Sequence, residues 1–247
     1  MNAELQQLHY DRLDTAYERH YGDPCSLGYR ERYINEPMFA GLELDGKDIL
    51  DAMCGSGQTT GHLLSRGAKV TGLDVSPQQV NSFNRKWPGV EARCASIFES
   101  NIDAGSFDLV AIVGGLHHLH PKCAQGISEI QRILRPGGYF CFAEPHKGSL
   151  PDALRKLWYK YDKLFAPNEA SIDLDQLKGE FAGKFKFLSE HYRGNLAYLL
   201  VLNSMIFRIP VRFKSFYTPP AMACESFVNK FQAKWSSCFV VCQWQKL

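Results

Sequence analysis

The chain lacks a long apolar run. Its greasiest stretch, Leu196 to Ile209, is interrupted by Asn203, Ser204 and Arg208, and it falls short of the roughly 20 residues a membrane-spanning helix needs. The opening residues, MNAELQQLHYDR, have no apolar core of the kind a secretory leader carries. None of the eight cysteines (Cys25, Cys54, Cys94, Cys123, Cys141, Cys224, Cys238, Cys242) falls in a C-x-x-C pair, so a zinc ribbon or a disulfide framework is not indicated, and no metal site is read. Several stand in apolar runs, where a thiol behaves as a small hydrophobe; that usage reads as a reducing, cytoplasmic setting. Internal repeats and low-complexity tracts are absent. So is a strong charge of either sign: 28 Lys and Arg face 26 Asp and Glu, which with no appended RNA-binding module argues against a nucleic-acid partner.

What remains is an ordinary globular composition, 45% hydrophobic and 22% charged over 247 residues, long enough for one domain to bury a core unaided. The near-neutral total conceals an asymmetry. Residues 1–144 hold 13 basic against 18 acidic side chains and 145–181 hold six of each, whereas 182–247 hold nine against two. Such a basic region could meet an anionic substrate or an acidic lipid surface.

From Asp48 onward, short apolar runs alternate with helical patterns. KDILDAM, AKVTGLD, GVEARCA, FDLVAIVGG and YFCFAE read as strands. Helices are expected over Gln58–Arg66 with Gly67 ending it, after the Ser76-Pro77 cap, and from Pro121 to Leu134, with Pro136-Gly137-Gly138 breaking the chain before the fifth strand. This βα rhythm at short spacing predicts an open parallel sheet with helices on both faces. After Glu144 the rhythm changes. A helix over 151–165 sets Leu154, Leu157, Trp158, Tyr161, Leu164 and Phe165 at helical spacing, with Arg155, Lys156, Lys160 and Lys163 around it; it is expected to face the core. A second helix near 173–182 and two strands, KFKFLSEHY and SCFVVCQWQK, complete the chain. We expect a single domain: a helical lid at 1–40, a core at 41–144, and 145–247 carrying the rest of the sheet. Insertions 145–180 and 194–236 would cap the sheet's C-terminal edge.

The chemistry-bearing stretch is Asp51-Ala52-Met53-Cys54-Gly55-Ser56-Gly57, between the first strand and a helix. Glycines there allow a tight turn and close approach of a ligand. Asp74, ending the second strand, is placed to accept hydrogen bonds from a ribose. Thr60 stands where a dinucleotide fingerprint has its third glycine, and no phosphate-gripping Lys-Ser/Thr pair follows. A nucleoside ligand without pyrophosphate fits better than a nicotinamide dinucleotide.

With ILDAMCGSG, VTGLDVS, CASIFE, FDLVAIVGGLHHLH and ISEIQRILRPGGYFCFAE, residues 49–144 resemble the class I S-adenosylmethionine-dependent methyltransferases, in their small-molecule group. The resemblance implies a Rossmann-like α/β fold with a seven-stranded sheet in the order 3-2-1-4-5-7-6, strand seven antiparallel. It implies S-adenosylmethionine as cofactor, with Asp51, Cys54, Gly55 and Gly57 at its methionine moiety, Asp74 at the ribose and Val75, Ser96 and Ile97 at the adenine. Gly114 and Leu116 would lie at the end of strand four. Met53 departs from the family's Gly or Ala, and Ser96 from its Asp.

The implied reaction is methyl transfer by in-line displacement at a sulfonium, in which orientation and removal of the acceptor's proton carry the rate. His117, His118, Glu144 and His146, where strands four and five end, are the candidate bases. The N-terminal tyrosines Tyr10, Tyr17 and Tyr21 could close over the cofactor, and Arg30 or Arg32 could meet its carboxylate. A small-molecule acceptor, with a sugar or metabolite hydroxyl as the expected group, suits the aromatic-rich cap. One alternative is a lipid-linked or glycolipid acceptor at a membrane surface, drawing on Arg208, Arg212 and Lys214 beside Phe213, Phe216 and Tyr217. Another is a non-catalytic cofactor-binding scaffold. The chain could be a monomer or a homodimer.

Overall fold

A computed structural model of the protein describes residues 19–159 and 170–247. Among these, seven strands form one sheet in the order β3-β2-β1-β4-β5-β7-β6: β1 Asp48–Ala52, β2 Lys69–Asp74, β3 Glu91–Cys94, β4 Phe107–Val113, β5 Leu134–Glu144, β6 Phe185–Arg193 and β7 Phe239–Lys246. The first five pair in parallel, and β7 runs antiparallel between β5 and β6. The order and the sense of β7 are those expected from the sequence.

The central strands carry apolar runs whose residues are buried on both sides, because both faces of the sheet are covered. Leu50, Ala52, Val110, Ile112, Phe140 and Phe142 point to one core. Ile49, Val70, Leu109, Ala111, Cys141 and Val241 point to the other. On the first face lie α4 (Cys123–Ile133) and α6 (Leu174–Phe181). On the second, α1 (Pro24–Arg30) supplies Tyr29 and α2 (Thr60–Ser65) supplies Leu63. Helix α3 (Pro77–Lys86) starts as expected, Ser76 Oγ accepting the Gln79 N–H and Pro77 taking the first position. Gly67, at φ +79°, ends α2 in the left-handed region.

Three expectations are corrected. Pro136-Gly137-Gly138 does not break the chain but lies inside β5, where the register with β4 slips between Phe107 and Leu109. Gly137 has φ +75°, and a Cβ on Gly138 would sit 2.9 Å from the Asp108 carbonyl oxygen. The three residues therefore form a bulge that absorbs the proline's missing donor. Helix α4 begins at Cys123 rather than Pro121, because 116–119 form a separate turn held by Glu144. Helix α5 (Leu150–Tyr159) does not turn its leucines to the core: Leu150, Leu154 and Leu157 are 59%, 61% and 59% exposed. Tyr161, Leu164, Phe165, Lys160 and Lys163 of the same stretch lie outside the described residues, as do Tyr10 and Tyr17.

In the first expected cap, α6 belongs to the helical layer, with Leu174, Leu177 and Phe181 buried in the same core as Trp244. The second cap segment leaves β6 after Arg193 and enters β7 at Phe239, and these two residues pair. Val240, next along β7, pairs with Glu144 at the end of β5. The segment 194–238 thus spans from the edge at which the parallel strands end. Two buried groups tie it to the N-terminal segment. Lys214, at the start of α7 (Lys214–Val228), is 1% exposed; its Nζ donates to Ser26 Oγ at 2.7 Å, to the Asp23 carboxylate and to the His20 carbonyl. Burial lowers this amine from its usual value, and Asp23 opposes that shift. Glu225, fully buried, accepts the Tyr29 hydroxyl at 2.8 Å and the N–H groups of Asn195 and Ala197 at 3.0 and 2.9 Å.

Candidate active site

Strand order reverses between β1 and β4, the place where open α/β sheets leave a crevice beyond their strand ends. A cavity of about 410 Å³ opens there, within the few-hundred-Å³ range of small-ligand sites. Of the residues expected at a cofactor, Asp51, Cys54, Gly55, Asp74, Val75, Ser96, Ile97 and Gly114 line it. Gly57 and Leu116 do not, nor do His117, Glu144 and His146.

Asp74 stands at the tip of β2 with each carboxylate oxygen held by one backbone donor: Gly55 N–H on Oδ2 and Ser76 N–H on Oδ1, both at 2.9 Å. These two bonds orient the carboxylate at the mouth of the cavity that it lines. Asp51, at the end of β1, is buried, and its Oδ2 accepts the Thr60 hydroxyl at 2.6 Å. Burial pushes its carboxyl up to about 7, against the Thr60 hydrogen bond and the Arg30 charge, which favour the ionised form. Arg30 lines the cavity and donates to Thr59 Oγ1 at 3.0 Å. Arg32, by contrast, is exposed and lies over the Tyr33 ring, so of the two only Arg30 lines the cavity.

Gly57 is a packing glycine. At φ +81°, a Cβ there would lie 2.4 Å from Trp87 Nε1 and 2.9 Å from the Phe83 ring, and Trp87 Nε1 donates to the Ser56 carbonyl. Gly57→Ala is therefore expected to cost about 2–4 kcal/mol through left-handed strain and overpacking. Urea unfolding should show the loss without ligand; a stable variant with weakened ligand binding would instead place Gly57 at the ligand.

Both departures from the family pattern are explained locally. Met53 adopts φ +54°, a conformation that favours glycine. Its Sδ and Cβ crowd the space beside Gly115, 2.8 and 3.1 Å from where a Cβ on that residue would stand. The side chain thus forms part of the cavity wall. Ser96 lines the cavity, and its Oγ accepts the Phe98 N–H at 3.2 Å, so the hydroxyl turns the backbone after β3 and keeps its own proton to donate.

Glu144 is taken up by the backbone and His117 and pairs with no arginine among the described residues. It is fully buried; Oε1 accepts the Gly115 and Leu116 N–H groups, each at 2.7 Å, and Oε2 meets the His117 N–H at 3.4 Å and Nδ1 at 2.8 Å. Burial raises its carboxyl from the ordinary value, while the backbone N–H groups favour the anion. Burial lowers the His117 imidazole to about 3, so this ring is neutral near pH 7. His117 packs on His118 with ring centroids 3.8 Å apart, and its Cε1 lies 4.0 Å from where a Cβ on Gly114 would stand. The ring stands directly behind the cavity wall. His146, expected at the acceptor cleft, is buried away from it: Nε2 bonds Ser237 Oγ at 2.7 Å and Nδ1 meets the Lys147 carbonyl at 3.2 Å. Ser237 lies 91 residues along the chain, and it closes the histidine into the junction of β5 with β7.

Sequence reasoning missed several lining residues, among them Gln58, Gln79, Phe98, His120 and Lys122. Gln79 could have been found, since it sits on the first turn of a helix capped beside Asp74. The others follow loops whose course only the tertiary structure fixes. His120 Nε2 is buried with no hydrogen-bond partner among the described residues.

Residues 49–138 match the family described as a methyltransferase domain. The chain is 33% identical over 125 residues to an uncharacterized methyltransferase of Synechocystis sp., covering 50% of this chain and 59% of that protein. It is 32% identical over 181 residues to the malonyl-[acyl-carrier protein] O-methyltransferase of Salmonella typhimurium, covering 69% and 66%. The S-adenosylmethionine-dependent methyltransferase structure from Archaeoglobus fulgidus shares the fold at a TM-score of 0.62 and 16% identity, over 94% of this chain and 99% of that one. The chain belongs to the class I S-adenosylmethionine-dependent methyltransferases. It spans less than two thirds of the Synechocystis relative's length.

The residues present fit the family's cofactor. Asp74 offers oriented acceptors for ribose hydroxyls, Arg30 a cation for a carboxylate and Asp51 an acid for an ammonium. Val75, Ile97 and Leu119 offer apolar wall for a purine, and the unpaired His120 Nε2 offers one polar contact. Bound, S-adenosylmethionine supplies an electrophilic methyl on a sulfonium whose departure as a neutral thioether needs no acid from the protein.

Proposed function

We propose that the protein transfers the methyl group of S-adenosylmethionine to a small-molecule acceptor, with a hydroxyl oxygen of a sugar or metabolite as the methylated atom. One observation carries this reading: Asp74, fixed by Gly55 and Ser76, faces a cavity large enough for a nucleoside at the switch point of the sheet. The name of the Salmonella typhimurium relative, an O-methyltransferase, supports oxygen as the acceptor atom.

In this reading His117, behind the cavity wall, and Glu144 position the loop Gly114–Leu116 that borders the cofactor, and His117 is not assigned the acceptor's proton. The Glu144 carboxylate accepts a hydrogen bond from His117 Nδ1–H, which fixes the ring in the tautomer with Nε2 unprotonated. Burial keeps the His117 ring neutral at neutral pH and makes it a poor proton acceptor. His146 takes no part.

Thermal shift decides the cofactor. S-adenosylmethionine and its demethylated product should each raise Tm in the manner of any ligand that binds only the folded state, and NADH should not. Stabilisation by NADH alone would overturn the reading. Transfer of a labelled methyl group into pools of hydroxylated metabolites then reports the acceptor.

A further inference from the structure

Helix α7 buries one side and leaves the other bare. Lys214, Ala221 and Glu225 are its buried residues. On the opposite side Phe216, Pro220 and Phe227 form a stripe that Phe231 continues, and the three phenylalanines are 88%, 64% and 76% exposed in chain order. Phe213 and Trp235, 50% and 66% exposed, extend it at either end, and the Phe227 and Phe231 rings touch at 5.7 Å. Isolated apolar side chains on a surface are unremarkable; a contiguous aromatic patch marks a binding face.

A second stripe adjoins it. Helix α5 packs beside the turn Lys234–Ser236 that carries Trp235, Arg155 pinning it by donating to the Cys238 carbonyl at 2.9 Å. That helix exposes Leu150, Leu154 and Leu157. Both segments leave the edge at which the cavity opens, α5 after β5 and α7 between β6 and β7.

Charge identifies the occupant. Residues 194–247 contain a single acid, Glu225, and it is fully buried. Arg212 and Lys230 are exposed on the stripe's flank, Arg212 lying over the Phe213 ring. Lys234 is paired, with Asp175. A second copy meeting this face about a two-fold axis would bring like cations together. An anionic lipid surface neutralises them while its headgroup boundary takes up the aromatic rings. We propose that this face docks peripherally on an anionic bilayer. An acceptor held at that bilayer would reach the cavity from the same edge; this consequence rests on the methyl-transfer reading, whereas the docking does not.

The full chain should co-sediment with vesicles of equal parts phosphatidylglycerol and phosphatidylcholine. Binding should fall at least about tenfold on pure phosphatidylcholine, and likewise at about 1 M salt, where screening acts within ~3 Å. The triple variant Phe216→Ser, Phe227→Ser, Phe231→Ser should lose at least about tenfold in binding to the mixed vesicles. Its thermal shift with S-adenosylmethionine should be retained, which separates this test from that of the cofactor. No sedimentation with mixed vesicles at low salt would overturn the proposal, as would sedimentation the triple variant leaves unchanged. Light scattering that shows a dimer abolished by the same substitutions would assign the face to a second copy instead.

Discussion

Asp74→Ala is expected to weaken S-adenosylmethionine binding by at least about 100-fold. A hydrogen bond to a charged group contributes about 1.5–3 kcal/mol, and the proposed function has this carboxylate hold the ribose hydroxyls. The variant also releases the Gly55 N–H from Oδ2, so the glycine loop loses its tether to β2. Asp74→Asn separates these effects. One amide oxygen still accepts from one backbone donor, whereas the amide NH2 faces the other, so binding should fall between wild type and alanine. Isothermal titration on folded variants provides the comparison. Wild-type affinity in Asp74→Ala would show that the ligand lies elsewhere.

The second large effect belongs to Glu144. Removing its side chain leaves the Gly115 and Leu116 N–H groups and His117 without their common acceptor in a site closed to water. Glu144→Ala should lose about 3–5 kcal/mol of stability, read as a fall in Tm of roughly 6–20 °C for a chain of this size. Glu144→Gln discriminates between a structural and a positioning role. Its amide oxygen can still accept from Gly115 and Leu116, so much of the stability should return. Its NH2 then donates to His117 Nδ1, which moves the ring proton to Nε2 and disturbs the loop behind Gly114, and turnover should fall by up to about 10²-fold through misplacement. Turnover that simply tracked stability across the two variants would make Glu144 a structural anchor and nothing more.

The sheet was legible because its signals are local. DILDA, KVTGLD and FDLVAIV each carry an apolar run whose residues are buried on both faces of the sheet, with their polar residues mostly at the strand ends, and the Ser76-Pro77 start and the Gly67 stop depend only on neighbouring residues. For the same reason the ligand-facing carboxylates Asp51 and Asp74 and the turn glycine Gly55 could be read: each stands at a fixed offset from a strand end. What escaped the sequence is set by distant contacts. Gly57 looks like a ligand glycine until Trp87, thirty residues on, is seen to occupy the space beside it. His146 looks like a base until Ser237 is seen to bond it. The Pro-Gly-Gly stretch breaks a strand by propensity, yet pairing of Leu134 with Phe107 carries β5 through it. In α5, helical spacing of the leucines fixed the helix but not which side faces the protein.

The buried Lys214 has a practical consequence for altering which acceptor the protein takes. Its three hydrogen bonds all end on residues 20–26, and Glu225 reaches Tyr29 from the same helix. Grafting the 194–238 segment alone into a relative would strand an ammonium and a carboxylate in a dry interior. A working chimera has to exchange that segment together with the first helix, as one cassette.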